Sequence, residues 1–305
     1  MASKSKVLVI GATGYIGKHI ALAGPAEGHP TFVLVRPSTL TSKAAIIDSF
    51  REAGIIVLEG SLEDHDSLVS AIKKVDVVIS AVSGSNIDDQ LKIIEVIKEV
   101  GTIKRFVPSE FGNDVDRVQP LEPAKSVFAK KVQIRRAVEH AGIPHTFVVS
   151  NGFAGYFLST LLQPGLQAPP RDKVSIYGNG DVKFINVSEE DIGRYTLKAV
   201  DDTRTLNKTL HIRPPENINT LNTLVGLWEK LINKTLEKST VTEDEIVKQI
   251  QETPFPGNIF PAILHDIVIL GDQFNFELGP NDVEATSLYT DYKYTSVEEY
   301  LKKFV

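Results

Sequence analysis

An α/β fold, a doubly wound parallel sheet followed by a smaller α+β unit, is what this sequence predicts, and three observations carry it. Short apolar runs alternate with amphipathic stretches through the first half of the chain, the pattern of buried parallel strands and crossover helices. Three glycines, Gly11, Gly14 and Gly17, follow directly on the first apolar run. After Asn151 the alternation gives way to a proline-rich stretch, short strands and then helices. A chain of 305 residues is long enough for two unequal units sharing a cleft.

KVLVI (6–10) reads as a strand buried on both faces, YIGKHIALAG as the helix leaving it, and TFVLVR (31–36) as a second strand after the turn at Gly28-His29-Pro30. A helix is expected from about Lys43 to Ala53, a strand at IIVLEG (55–60), a helix over Asp64 to Lys74 and a strand at DVVISAV (76–82). Gln90 to Val100 reads as a helix, RFVPS (105–109) as a strand, about Ser126 to Ala141 as a helix and HTFVVS (145–150) as a strand. Parallel neighbours require crossovers, and the helices supply right-handed ones. Farther on, LQPGLQAPPRDK (162–173) is a loop, VSIYG and KTLHIR are short strands, and EEDIGRYTLKAV is a helix between them. LNTLVGLWEKLI, EDEIVKQIQE and the stretch from Pro261 to Leu270 complete the helical part.

Composition narrows the function. The chain has 33 basic and 39 acidic residues, a net charge of −6 and no basic run, which argues against nucleic acid or an anionic membrane as partner. No cysteine is present, so disulfides, thiolate metal sites and cysteine nucleophiles are excluded, and no metal site is expected. The apolar run in MASKSKVLVI is too short for a signal peptide, and no run approaches the roughly 20 residues of a membrane span. A cytoplasmic protein acting on a small molecule is the expectation.

A glycine turn between strand and helix lets backbone N–H groups approach a pyrophosphate, and the helix dipole favours the negative charge. The spacing here is GxxGxxG, so the motif takes its meaning from its place in the first strand–helix unit. Gly11 makes the turn, Gly14 permits close approach and Gly17 lets helix and strand pack, with Thr13, Tyr15 and Ile16 in the same cradle. Residues 1–155 are thus expected to form a Rossmann, NAD(P)-binding domain, and 156–305 mainly a substrate-binding domain with some segments returning to the main sheet. The second strand ends in Arg36, where a site for NAD would place an acidic residue. Arginine pairs bidentately with a 2′-phosphate, and Lys43 can add a second charge, so NADPH is the expected cofactor. A solvated strand end is the alternative for Arg36, and a solvated surface lysine for Lys43.

The YxxxK pair of short-chain dehydrogenases occurs only at Tyr289 and Lys293, far from where that helix belongs, and is taken as coincidence; Tyr156 and Tyr195 lack the lysine. Another proton-transfer group is therefore required. On the helix VFAKKVQIRRAVEHA, Val127, Lys131, Ile134, Val138 and Ala141 form one stripe, with Lys130 at its edge and Arg135 and Arg136 farther out. Burial would lower the pKa of an inward Lys131 toward that of a general base, while a snorkelling structural lysine fits the same stripe.

GATGYIGKHI, KRFVPSEFGNDVDR, EPAKSVFAKKVQIRRAVEHAGIPHTFVVSNGFAGYF and VEATSLYTDYKYTSVEEYL together resemble the plant isoflavone reductase-like enzymes, atypical short-chain dehydrogenases of the NmrA-like branch. These comprise phenylcoumaran benzylic ether reductases, pinoresinol–lariciresinol reductases, isoflavone reductases and allylphenol (eugenol and isoeugenol) synthases. The resemblance covers essentially the whole chain, and SEFGNDVDRV with EPAKSVFAKK is most like the benzylic ether reductases. It implies Lys131 as the base that deprotonates a substrate phenol and Arg36 on the 2′-phosphate. It also places the Ser109-Glu110-Phe111 turn beside the nicotinamide, and Asn151 and Phe153 near cofactor and substrate. Val82, Phe153, Phe157 and His265 are expected to line the substrate slot; a structural role is equally open for His265, and local pairing is favoured for Glu110. Two positions depart from the family pattern: the loop SAVSGSNIDDQ is not glycine-histidine-rich, and Gly152 stands where a cysteine is common.

The implied reaction is NADPH-dependent reduction of the benzylic ether of a phenylcoumaran lignan through a quinone methide. The alternatives are a pinoresinol/lariciresinol or isoflavone reductase, an allylphenol synthase, and an NADP(H)-sensing regulator without turnover. The implied partners are a phenolic small molecule and, among macromolecules, at most a second copy of the chain.

Overall fold

The computed structural model describes residues 3–82 and 84–305. β1 (Val7–Ile10), α1 (Tyr15–Ala26), β2 (Thr31–Val35), α2 (Pro37–Ser42), α3 (Ala44–Glu52), β3 (Ile56–Glu59), α4 (His65–Ile72), β4 (Val77–Ser80), α5 (Gln90–Val100), β5 (Arg105–Val107), α6 (Ala124–His140) and β6 (Thr146–Val149) alternate as expected. One difference lies after β2. The helix expected from about Lys43 is preceded by a separate one, because Pro37 presets the first turn of α2 and Lys43, at φ −127°, interrupts the helical path.

Five parallel strands run in the order β3-β2-β1-β4-β5. An isolated parallel bridge between Phe106 and His145 carries the sheet on to β6. The second half contributes β7 (Gly152–Phe153), α7 (Ala154–Phe157), β8 (Lys173–Tyr177), β9 (Phe184–Val187), α8 (Glu189–Ala199), β10 (Lys208–His211), β11 (Ile218–Asn219), α9 (Leu221–Ile232), β12 (Glu237–Val241), α10 (Glu243–Glu252), α11 (Ile259–His265), β13 (Asp282–Glu284), α12 (Ala285–Leu288) and α13 (Val297–Leu301). Of these, β10 pairs with β6 and β13 with β10, both parallel, so two late segments extend the sheet beyond β6, as the expected return of later segments to the main sheet requires.

Strand periodicity divides the core. Val7 and Val9 of β1 join Ile20, Ile192 and Tyr195 on one face, whereas Leu8 and Ile10 join Leu68, Ile72, Ile93 and Ile134 on the other. Each such fully buried side chain contributes about 1.5–3 kcal/mol. α1 and α8 meet at Gly193, where a Cβ would stand 2.6 Å from the His19 carbonyl oxygen, so only glycine allows this approach. A third core, with Trp228, Leu224 and Phe184, fills the C-terminal unit. The Trp228 indole donates to the Pro170 carbonyl at 2.7 Å and pins the proline-rich loop onto that core. No helix among the described residues is long and apolar enough to cross a membrane.

Candidate active site

Strand order reverses between β1 and β4, and in open α/β sheets ligands bind at the carboxyl ends of such strands. Here the glycine turn abuts the end of β4. Gly11 has φ +83°, and a Cβ on it would lie 2.7 Å from the Ala81 carbonyl oxygen; a Cβ on Gly17 would lie 2.1 Å from the Gly11 carbonyl oxygen. α1 begins at Tyr15 with no side chain capping its first amides, which leaves them for an anion. A cleft of about 290 Å³ opens beside this turn, lined by Gly11, Thr13, Gly14, Arg36, Lys43 and Val82 among others. Arg36 is exposed and makes no ion pair with the described residues, whereas Lys43 reaches back across the cleft to donate to the Thr13 carbonyl at 2.8 Å. Free amides, an unneutralised guanidinium and an ammonium within one cleft fit a dinucleotide with an extra phosphate. Ile16 is buried in the core, so only its backbone is left to face the cleft. Val82, expected on the substrate side, forms part of the wall of this cleft beside the glycine turn.

The second cluster gathers around Lys131. Its Nζ, half-buried, donates to the Glu110 main-chain oxygen at 2.6 Å. Burial holds the ammonium below its ordinary range, with the Glu110 carboxylate pulling it up and the Arg135 guanidinium pushing it down. The expectation that Arg135 lies farther out on the helix is corrected: it is one of the largest fully buried side chains. Arg135 sits one turn beyond Lys131, and segment 109–118 folds over that flank. Its nitrogens meet Glu110 at 2.7 Å, Asp114 at 2.7 Å and Asp116 at 3.0 Å, and its plane lies over Phe147. Glu110 is thus engaged in a local ion pair. Arg136, by contrast, is exposed as expected.

The residues between the two clusters are tied by backbone contacts. Ser109 donates its amide to the Gln90 side chain and its hydroxyl to the Val82 carbonyl, each at 2.6 Å, which joins the turns after β4 and β5. Phe111 has φ 43° with its ring in the core, so it shapes the turn by its main chain. Asn151, at φ 59°, donates its amide to Gly112 and its side chain to the Ile212 carbonyl. Phe153 stacks on Tyr15 with ring centres 5.9 Å apart, and Tyr15 stacks on Tyr156 at 4.3 Å. The Tyr15 hydroxyl donates to Glu189 at 2.6 Å, fixing this aromatic shelf. Phe157 is buried against Phe260.

A second hollow, of about 350 Å³, opens beyond the shelf between Tyr156, Phe260 and the start of the proline-rich loop. At Gly152 a Cβ would lie 2.6 Å from the Asn186 side-chain oxygen, so the missing cysteine side chain is replaced by close approach of β9. His265 is buried with Nε2 3.0 Å from Glu243. Tyr289 donates to Asp202 and Lys293 pairs with Glu299, so these two do not form a catalytic pair. Loop 82–90 carries a short 3-10 turn, Gly84–Asp89, tied to α6 by the Asp88–Lys130 ion pair; its Ser83 lies outside the described residues.

Sequence reasoning missed Gln90, Glu189 and the Arg135 clamp. The spacing did hold one signal, since residues four apart on a helix share a flank and Arg135 follows Lys131 by four.

The profile of the NmrA-like family matches residues 3–301. A phenylcoumaran benzylic ether reductase of Ginkgo biloba is 61% identical over 304 residues, 99% of each chain. Eugenol synthase 1 of Petunia hybrida is 59% identical over 100% of each chain. The solved structure of AtPrR2 with NADP+ and (+)-pinoresinol superposes with a TM-score of 0.96 at 44% identity, covering 100% of each chain. Since the agreement runs through the glycine turn, the lysine helix and the C-terminal core alike, the chain belongs as a whole to the NmrA-like family.

Proposed function

We propose that the protein is an NADPH-dependent oxidoreductase that reduces the benzylic ether of phenylcoumaran-type phenolic dimers. One observation carries the reading: a half-buried lysine, depressed in pKa and held by a backbone carbonyl, stands in a family match that includes benzylic ether reductases at full length. Residues 1–155 act as the nucleotide-binding part and 156–305 mainly as the substrate-binding part. The turn from Gly11 to Gly17 holds the pyrophosphate, Arg36 and Lys43 the 2′-phosphate, and the backbone of Ser109 and Phe111 with Asn151 and Phe153 the nicotinamide end. When bound, NADPH supplies a hydride to the benzylic carbon.

Lys131 accepts the para-phenol proton. The phenolate pushes electrons through its ring, the benzylic C–O bond breaks, and a quinone methide forms beside a freed phenoxide. Reduction at the benzylic carbon restores the aromatic phenolate. The Lys131 proton and one from solvent then complete the two phenols of the product. The shelf of Tyr15, Phe153 and Tyr156 offers flat apolar surface for the substrate rings and helps exclude water.

A second reading has its own support. Eugenol synthases are as similar as the reductases, and loop 82–90, pinned next to Lys131 through Lys130, is spelled differently from the benzylic ether reductase pattern. The same base would then expel acetate from a coniferyl ester. A panel of phenylcoumarans, furofurans, isoflavones and coniferyl esters incubated with deuterated NADPH, read by product mass spectrometry, tests both. Deuterium at the benzylic carbon of an opened phenylcoumaran is expected. Deuterium in an allylphenol supports the second reading, and no labelled product overturns both in favour of a regulator.

A further inference from the structure

Lys131 takes its direction from one acceptor, the main-chain oxygen of Glu110 at 2.6 Å. The side chain of that same Glu110 is clamped by Arg135 at 2.7 Å, with the two side chains 1% and 2% exposed. Arg135 is itself immobilised, because its other terminal nitrogen holds Asp114 and Asp116 and its plane lies on Phe147. The carbonyl that holds Lys131 is therefore anchored on both sides of its Cα, by the ion pair at the side chain and by the positive-φ turn at Phe111.

We propose that Arg135 is a positioning residue for the base: its buried ion pair with Glu110 fixes the carbonyl that takes one Lys131 N–H, and so turns the amine lone pair away from the helix–loop corner. The proposal rests on the reading of Lys131 as the base. Arg135 has a second effect through charge. Taking away one partner of a buried pair leaves the other uncompensated. Without Arg135 the Glu110 carboxylate faces Lys131 unopposed and favours its protonated, inactive form.

The other charges nearby are already paired. Asp114 and Asp116 of the covering segment are held by Arg135, with Arg117 and Arg136 as further partners. Lys130 is held by Asp88 of the 84–89 turn. On α11 and the π turn that follows it, His265 faces Glu243 and Asp266 accepts from Asn113. His211, on β10, lies against Asp114 and Asp282, and burial pushes it down to about 4, so it is neutral.

The test measures Lys131 itself. Acetylation of Lys131 by acetic anhydride is followed against pH by peptide mass spectrometry in wild type, Arg135→Met, Arg135→Lys and Glu110→Gln, beside kcat and KM. Arg135→Met is expected to raise the labelling midpoint by about one pH unit and to lower kcat about 10- to 100-fold with KM within about threefold. Glu110→Gln moves the midpoint the opposite way, and Arg135→Lys restores most of the wild-type behaviour. An unchanged midpoint in folded Arg135→Met, or a shift in the same direction for Arg135→Met and Glu110→Gln, overturns the proposal. If Arg135→Met does not fold, an unchanged midpoint in Glu110→Gln does so. Because labelling needs no substrate, a failure of the base assignment, seen as full turnover by Lys131→Ala, is read separately.

Discussion

The two clusters at the sheet's carboxyl edge bind charge in opposite ways. In the cleft beside the glycine turn the cations, Arg36 and Lys43, are exposed, and the first amides of α1 carry no side-chain cap. In the lysine corner the central charges, Arg135 with Glu110 and Asp114, are buried and answer one another, with Asp116 at the rim and half-buried Lys131 against a carbonyl. Exposed charges can be exchanged one at a time, because solvent screens whatever remains. Buried ones act as a unit, since removing a partner strands the other in a low-dielectric site. On the proposed function, cofactor preference therefore rests on the exchangeable charges and base chemistry on the buried ones.

That contrast breaks most sharply at Lys131. Lys131→Ala is expected to lower kcat about 10³-fold while the NADPH Kd, measured by isothermal titration, stays within about threefold. A parallel loss of NADPH affinity would show that the two clusters are one site. Next in size is Arg36→Glu, which should weaken NADPH about 100-fold and NADH less than about threefold. Lys43 already shares its charge with the Thr13 carbonyl, so Lys43→Met should cost only about fivefold; equal losses for NADPH and NADH in either variant would show that these side chains do not bind the 2′-phosphate.

The smallest effect extends the buried side of the comparison. Asp266 lies in the π turn that follows α11, fully buried. Burial and the neighbouring Asp272 push its carboxyl up to about 8. Its Oδ2 accepts from Asn113 at 2.6 Å, whereas Oδ1 is buried with no hydrogen-bond partner among the described residues. The folded state thus binds a proton that the unfolded chain releases near pH 4. Its stabilising contribution is full below that pH and is lost as pH rises through about 8. Thermal melts should show Tm falling over that window in wild type and a flatter profile in Asp266→Asn. Identical slopes would mean that Asp266 is ionised in the fold.

The strands, the crossover helices and the glycine turn are legible in the sequence, because each is a local pattern: apolar period, chain punctuation, and a residue type that alone tolerates positive φ. The position of Arg36, one residue past β2 and at the cleft beside the turn, was legible for the same reason. The helix α2 was hidden because its short, polar PSTLTS has no apolar stripe, and Pro37 announces its start only weakly. Gly152 showed a departure from the family pattern, yet its consequence, β9 drawn within contact of its missing side chain, belongs to residues more than 30 positions away.

What the sequence by itself determined is therefore the doubly wound sheet and the strand–glycine turn–helix unit at its centre; the stripe on α6 only nominated Lys131, and the family resemblance selected it. Tertiary structure alone decided that Arg135 is buried, that Glu110 turns its carbonyl to Lys131 and its carboxylate to Arg135, and that the segments returning to the sheet are β10, beside β6, and β13, beside β10. The reason is physical. A helical stripe records which way a side chain leaves its own axis, whereas burial of a charge depends on what covers it, and segment 109–118 reaches α6 only once the chain has closed.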